Sequence, residues 1–144
     1  MSAHLLLFSE SFPETFEKWQ SILDELSIPL IIQEKGKINY SAPFLTIRTS
    51  VKASEHIESI ECYPMKVEDL NNTLKSLIFD KVGTRNLVLD FTYSSRGCAE
   101  SLGLGLALMK EHYALCYVDF MSYGFIDFEE AKKGFEKELA TINY

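Results

Sequence analysis

Between residues 87 and 118 the chain sets a helix rich in glycine and alanine between two apolar strands. This arrangement restricts its folding more than any other. Leu87-Val88-Leu89-Asp90-Phe91 opens as a continuous apolar run, the pattern of a central strand covered on both faces. Residues 98–113 read as a helix. In and just before it Gly97, Ser101 and Gly105 stand four apart, as do Ala99, Gly103 and Ala107. A glycine inside a helix costs roughly 1 kcal/mol relative to alanine. Close approach to a sheet or a second helix must offset that cost, and Leu102, Leu104, Leu106 and Leu108 around the small residues predict the most buried helix of the protein. Residues 114–118 read as the next strand. Strand, helix and strand in succession predict a βαβ unit, with a parallel pair and a right-handed crossover.

The rest of the chain supplies a hairpin and three more helices. Residues 5–8 read as a strand. Ser11-Phe12-Pro13-Glu14 has the form of a capping box, and Phe12, Phe16, Trp19, Leu23 and Leu26 follow at helical spacing up to Pro29. Leu30-Ile31-Ile32 reads as a strand and 34–37 as a turn. In 44–52, Leu45, Ile47, Thr49 and Val51 alternate with Thr46, Arg48, Ser50 and Lys52, which predicts a strand with one buried face. Residues 57–63 are its expected antiparallel partner, ended by Pro64. Val67, Leu70, Leu74, Leu77 and Ile78 predict a second amphipathic helix. After an aromatic loop, Asp127 caps a last helix with Phe128, Ala131, Phe135 and Leu139 on its inner face. The fold class is α/β (or α+β): one domain over residues 1–144, a mixed sheet of five to six strands with an antiparallel hairpin and a C-terminal βαβ unit, and four helices.

A chain of 144 residues, 47% apolar and 12% aromatic, buries a core without disulfides or metals. Cys62, Cys98 and Cys116 lie far apart in sequence and read as buried reduced thiols of a cytoplasmic protein. Neither a signal segment nor an apolar run of the ~18 residues that span a bilayer is expected. The 21 acidic residues outnumber 14 basic ones, for a net charge of −7. That balance opposes nucleic acid and anionic membranes as partners and suits a basic protein.

Catalytic and cofactor signatures are missing from the sequence. His4, His56 and His112 have no metal-site spacing between them or to a cysteine, so neither a metal nor another cofactor is expected. Tyr93-Ser94-Ser95-Arg96-Gly97 stands where a nucleophile elbow would, but lacks the glycine two residues before the serine. A serine hydrolase is not expected, and Ser94 or Ser95 reads instead as the cap of the long helix. The same loop offers Ser94, Ser95, Arg96 and Gly97 as an anion site at a strand's end and a helix's start, with Cys98 as a thiol a helix dipole would activate. It supports a small-ligand alternative, and a scaffold subunit is a third reading.

Charge supplies the leading reading. Asp119, Asp127, Glu129 and Glu130 occur in a stretch with no basic residue, together with Tyr123 and Phe125. Glu58 and Glu61 belong to a second acidic stretch. Aromatic anchors with an acidic rim suit a basic protein partner. The order from the 87–91 strand through Glu100 and Gly103-Leu104-Gly105-Leu106-Ala107-Leu108 to Tyr117-Val118-Asp119, Tyr123-Gly124 and Asp127-Phe128-Glu129-Glu130-Ala131 resembles bacterial immunity proteins that accompany polymorphic or contact-dependent toxins. The resemblance covers about the last sixty residues and transfers no functional residue. It implies a small acidic cytoplasmic inhibitor, not an enzyme, that binds one cognate toxin and blocks its active site.

Overall fold

The computed structural model describes residues 3–94, 96–120 and 122–142, with the backbone alone at 120, 122 and 123. Among them, strands β1 (Ala3–Ser9), β2 (Leu30–Ile32), β3 (Leu45–Val51), β4 (Ile57–Lys66), β5 (Leu87–Tyr93), β6 (Leu115–Phe120) and β7 (Ser122–Ile126) form one sheet. Its spatial order is β2-β3-β4-β5-β1-β6-β7, with every pairing antiparallel. Helices α1 (Phe16–Glu25), α3 (Cys98–Glu111) and α4 (Phe128–Thr141) supply side chains to a large core on one face. Helix α2 (Asn72–Val82) closes a smaller core on the other.

The expected parallel pair is replaced by a split arrangement. β5 and β6 run the same way, but β1 lies between them and pairs antiparallel with both: Leu6 stands opposite Asp90 on one side and Tyr117 on the other. Leu5, Leu6, Leu7 and Phe8 explain the insertion. A strand apolar at successive positions must be covered on both faces, which only a central place provides. The crossover helix α3 therefore packs over β1. Residues 99–108 of α3 are all buried. A Cβ at Gly105 would meet Leu5 and Leu7 at 3.4–3.7 Å, and one at Gly103 would collide with Leu30 and Phe135. The small residues set the distance at which α3 sits on the sheet and α4 on α3.

Several element boundaries differ from the sequence expectation. The helix expected from Ser11 starts at Phe16, capped by Thr15, whose side chain accepts from Lys18 N at 3.1 Å. The capping-box segment is instead held by a neighbouring loop: Ile38 N donates to Glu14 O and Phe16 N to Gly36 O. β4 runs through Pro64 rather than ending there. Its pairing with β3 ends at Cys62, so on that side the missing N–H interrupts no ladder. The helix expected from Val67 is a 3₁₀ turn over Val67–Asp69 followed by α2, which Asn71 caps, and Leu77 stands exposed on it. The aromatic loop after β6 is a seventh strand, β7, paired with β6 from Ser122 to Ile126. The cap at Asp127 is as expected, its side chain accepting from Glu130 N at 2.8 Å.

Among the described residues, no helix is long and apolar enough to cross a membrane.

Candidate interaction face

α2 covers only part of its face of the sheet. Strand side chains alternate between faces, so the register names what lies beyond the helix. Under α2 are Phe8, Val88, Tyr117 and, half-buried, Met65 and Leu115. Toward the other end the same face turns polar. A transverse row runs Glu61, Thr92, His4, Asp119 and Tyr123 across β4, β5, β1, β6 and β7. The row beneath runs Tyr63, Asp90, Leu6, Tyr117 and Phe125. Three carboxylates and one histidine thus share the open half of a hydrogen-bonded sheet face.

His4 and Asp90 anchor this patch. His4 Nδ1 lies 2.9 Å from Asp90 Oδ1 and 3.1 Å from Oδ2, with Thr92 Oγ1 at 3.5 Å. An ionised carboxylate only accepts, so Nδ1 is the donor. Burial raises the Asp90 pKa. The bond and charge of His4 oppose the rise, and nearby Asp119 adds to it. Tyr63 Oη donates to Glu61 Oε2 at 2.8 Å, which holds that carboxylate at the surface.

The residues singled out in sequence divide among several places. Asp119, Glu61 and the Cα of Tyr123 share the row; the Tyr123 side chain lies outside the described residues. Phe125 packs on Tyr117 with ring centroids 5.2 Å apart, at the edge of the α2 core. Asp127, Glu129 and Glu130 begin α4 at the far end of β7. Four residue steps along the strand direction, roughly 13 Å, separate Asp127 from Tyr123. Glu58 points to the other face, where it contacts His56 at 2.6 Å and Arg96 at 3.9 Å. His4, Asp90, Thr92 and Tyr63 did not stand out in sequence. A polar residue within each of two apolar strands was the available signal, because burying Asp90 requires a partner.

The loop 94–98 has a different character from its sequence. Ser95 lies outside the described residues. Gly97, at φ +89°, is the N-cap of α3 with no side-chain cap, so Ser94 does not fill that role. Arg96 is exposed beside Glu58, and a groove of about 230 Å³ joins Arg96, Ser94 and Thr92 to Glu58 and Glu61. Cys98 is not activated. Burial first, then the charge of Glu138, pushes its pKa up to about 11. Cys62 and Cys116 are buried, and all three thiols are free.

A larger cavity of about 610 Å³ opens beside Pro64, between Phe12, Tyr40 and Met65. Glu10, Glu14 and Asp69 mix there with Lys37 and Lys66, a lining that selects no single ligand charge. Among the described residues, no group of three or more His, Cys, Asp and Glu side chains is placed to hold a metal ion. No protein-family model matches the chain, and neither a curated protein nor a solved structure shows significant similarity to it.

Proposed function

We propose that the protein is a cytoplasmic immunity protein that binds a basic secreted toxin and occludes its active site, with the polar half of the open sheet face as its recognition surface. The observation that carries this reading is the row Glu61, Thr92, His4 and Asp119 with Asp90 beneath it, in a chain of net charge −7. Long-range attraction steers a basic partner to the acidic side. At contact, Asp119 and Glu61 take the places that substrate phosphates would fill in a nuclease, and Thr92 offers a hydroxyl between them. The half-buried Phe125, resting on the buried Tyr117, borders the patch as an apolar anchor.

A sheet face suits inhibition for an entropic reason. Its side chains stand on backbone already fixed by ladders on both sides, so little ordering cost remains to be met on binding. His4 and Asp90 add to that preorganisation by holding each other in place. The immunity-protein resemblance of the C-terminal half supports the same reading.

The test is growth protection and binding with whatever secreted toxin domain is found encoded beside the gene. The protein is expected to rescue cells producing that domain and to bind it with an affinity that falls as salt rises. Rescue that survives the combined change Glu61→Lys/Asp119→Lys would reject this surface; no rescue and no binding would reject the function.

A further inference from the structure

We propose a second, independent site on the opposite side of the sheet: a pocket for a small carboxylic acid with an apolar body, such as a medium-chain fatty acid. A cavity of about 390 Å³ lies between the 26–29 segment, α3 and α4. Its volume falls in the ~300–1,000 Å³ range of small-molecule sites. Ile28, Leu106 and Phe135, all buried, line it together with the half-buried Leu26, Phe128 and Leu139.

Its charged groups select the ligand's sign. Lys110 and Lys132 line the cavity, against the single carboxylate of Glu136. Among the described residues neither lysine has a carboxylate within ion-pair distance, although Glu136 stands one helical turn from Lys132. Lys110 Nζ lies 5.9 Å from the centre of the Phe128 ring, which keeps its ammonium beside the apolar lining. Two unpaired ammonium groups over an apolar pocket, in a protein of net charge −7, form a local exception to the overall charge. An apolar acid satisfies both features at once: its chain displaces water from Leu106 and Phe135, and its carboxylate pairs with the lysines. An apolar amine would meet the wrong charge, and a small polar anion would leave the cavity unfilled.

The site follows from how the chain packs. Gly103 brings α4 close to α3 through Phe135, while the 26–29 segment, with Ser27 at φ +56°, turns away into β2. The pocket occupies the space between that segment and the two helices.

Octanoate, octan-1-ol and octylamine titrated into the intact protein test the assignment by calorimetry. Octanoate is expected to bind at one site, with octanol at least tenfold weaker and octylamine not detected. Lys110→Ala/Lys132→Ala should weaken octanoate at least tenfold while the circular dichroism melt stays in place, and Glu136→Gln should tighten it. Equal binding of octanol and octanoate, octanoate affinity unchanged in the double lysine variant, or no octanoate binding up to millimolar concentration would each overturn the site. The octanol comparison uses the unaltered protein and so holds even if the variant misfolds. None of these changes touches the open sheet face.

Discussion

His4 Nδ1 contacts both carboxylate oxygens of Asp90, and this pair ties the first strand of the chain to its neighbour in the middle of the sheet. The contact does not fully compensate the carboxylate for burial, because burial is the largest influence on Asp90 and raises its pKa. A raised carboxylate pKa means that folding disfavours the charged form relative to the unfolded chain. Asp90 therefore favours folding most below the ordinary carboxylate value of about 3.9, and that contribution is lost as pH rises through the elevated folded value. Asp90→Asn should melt at a higher temperature than the wild type at pH 7, and the advantage should shrink as pH falls toward 4. Thermal melts across that range check the sign. On the proposed function, the same variant should weaken binding of the toxin, the pattern of a residue kept at some expense to stability.

Gly103 is where helix propensity and packing disagree. Alanine would recover roughly 1 kcal/mol of propensity. Its methyl, however, must displace Leu30 and Phe135, which hold α3 to β2 and α4. Overpacking of this kind costs about 1–3 kcal/mol. Gly103→Ala is expected to lower the unfolding free energy on balance. Gly105→Ala, which meets Leu5 and Leu7 at ordinary contact distance, should be neutral or stabilising. Urea denaturation of the two variants separates the cases; equal effects would mean that close approach does not explain the glycines.

The elements were legible where periodicity was strong. β3 alternates as its sequence does from Thr46 to Thr49, with Ile47 and Thr49 buried and Thr46 and Arg48 exposed, but Ser50, expected on the wet face, is buried as well. The closely packed α3 could be read from its small residues. Pairing was less legible, because the β5–α3–β6 segment has the same local pattern whether its strands are neighbours or admit β1 between them. Only the two-sided apolar character of Leu5 to Phe8, weighed against the rest of the sheet, distinguishes the two. The open face was hidden for a related reason. Asp119, Thr92, His4 and Glu61 come from four strands, and register alone makes them a row. β7 was obscured by Gly124, a residue that weakens a strand and reads as part of a loop. The Ser11 cap failed because the 36–38 segment holds Glu14 and Thr15 in extended backbone ahead of the helix.

Cys98 begins α3, where a helix dipole would favour a thiolate, yet its pKa is pushed up to about 11. Desolvation outweighs the dipole here. At pH 8 the thiolate population, and with it the alkylation rate, should fall on the order of a hundredfold below that of an unperturbed cysteine. Mass spectrometry after timed iodoacetamide treatment should show slow labelling of Cys98 in the native protein, and slower still of Cys116, whose pKa burial raises to about 12. Both should react readily in urea. Rapid native labelling of Cys98 would restore the activated thiol.

Two acidic groups compete as the surface that would meet the proposed toxin, and the fold separates them. Asp119 and Glu61 stand in the open row, whereas Glu129 and Glu130 are exposed in the first turn of α4, roughly 13 Å or more beyond Tyr123. Equal charge reversals discriminate between them because long-range steering responds to total charge while dissociation responds to contact. Glu61→Lys/Asp119→Lys and Glu129→Lys/Glu130→Lys each move the net charge from −7 to −3, since two residues each change by two units. Both should slow association with a basic toxin to a similar degree. Only the first pair should also speed dissociation, by tenfold or more, because only it removes groups that the bound partner would touch. Dissociation rates from surface plasmon resonance decide the matter, and faster release from the α4 pair alone would move the interface from the sheet face to the start of that helix.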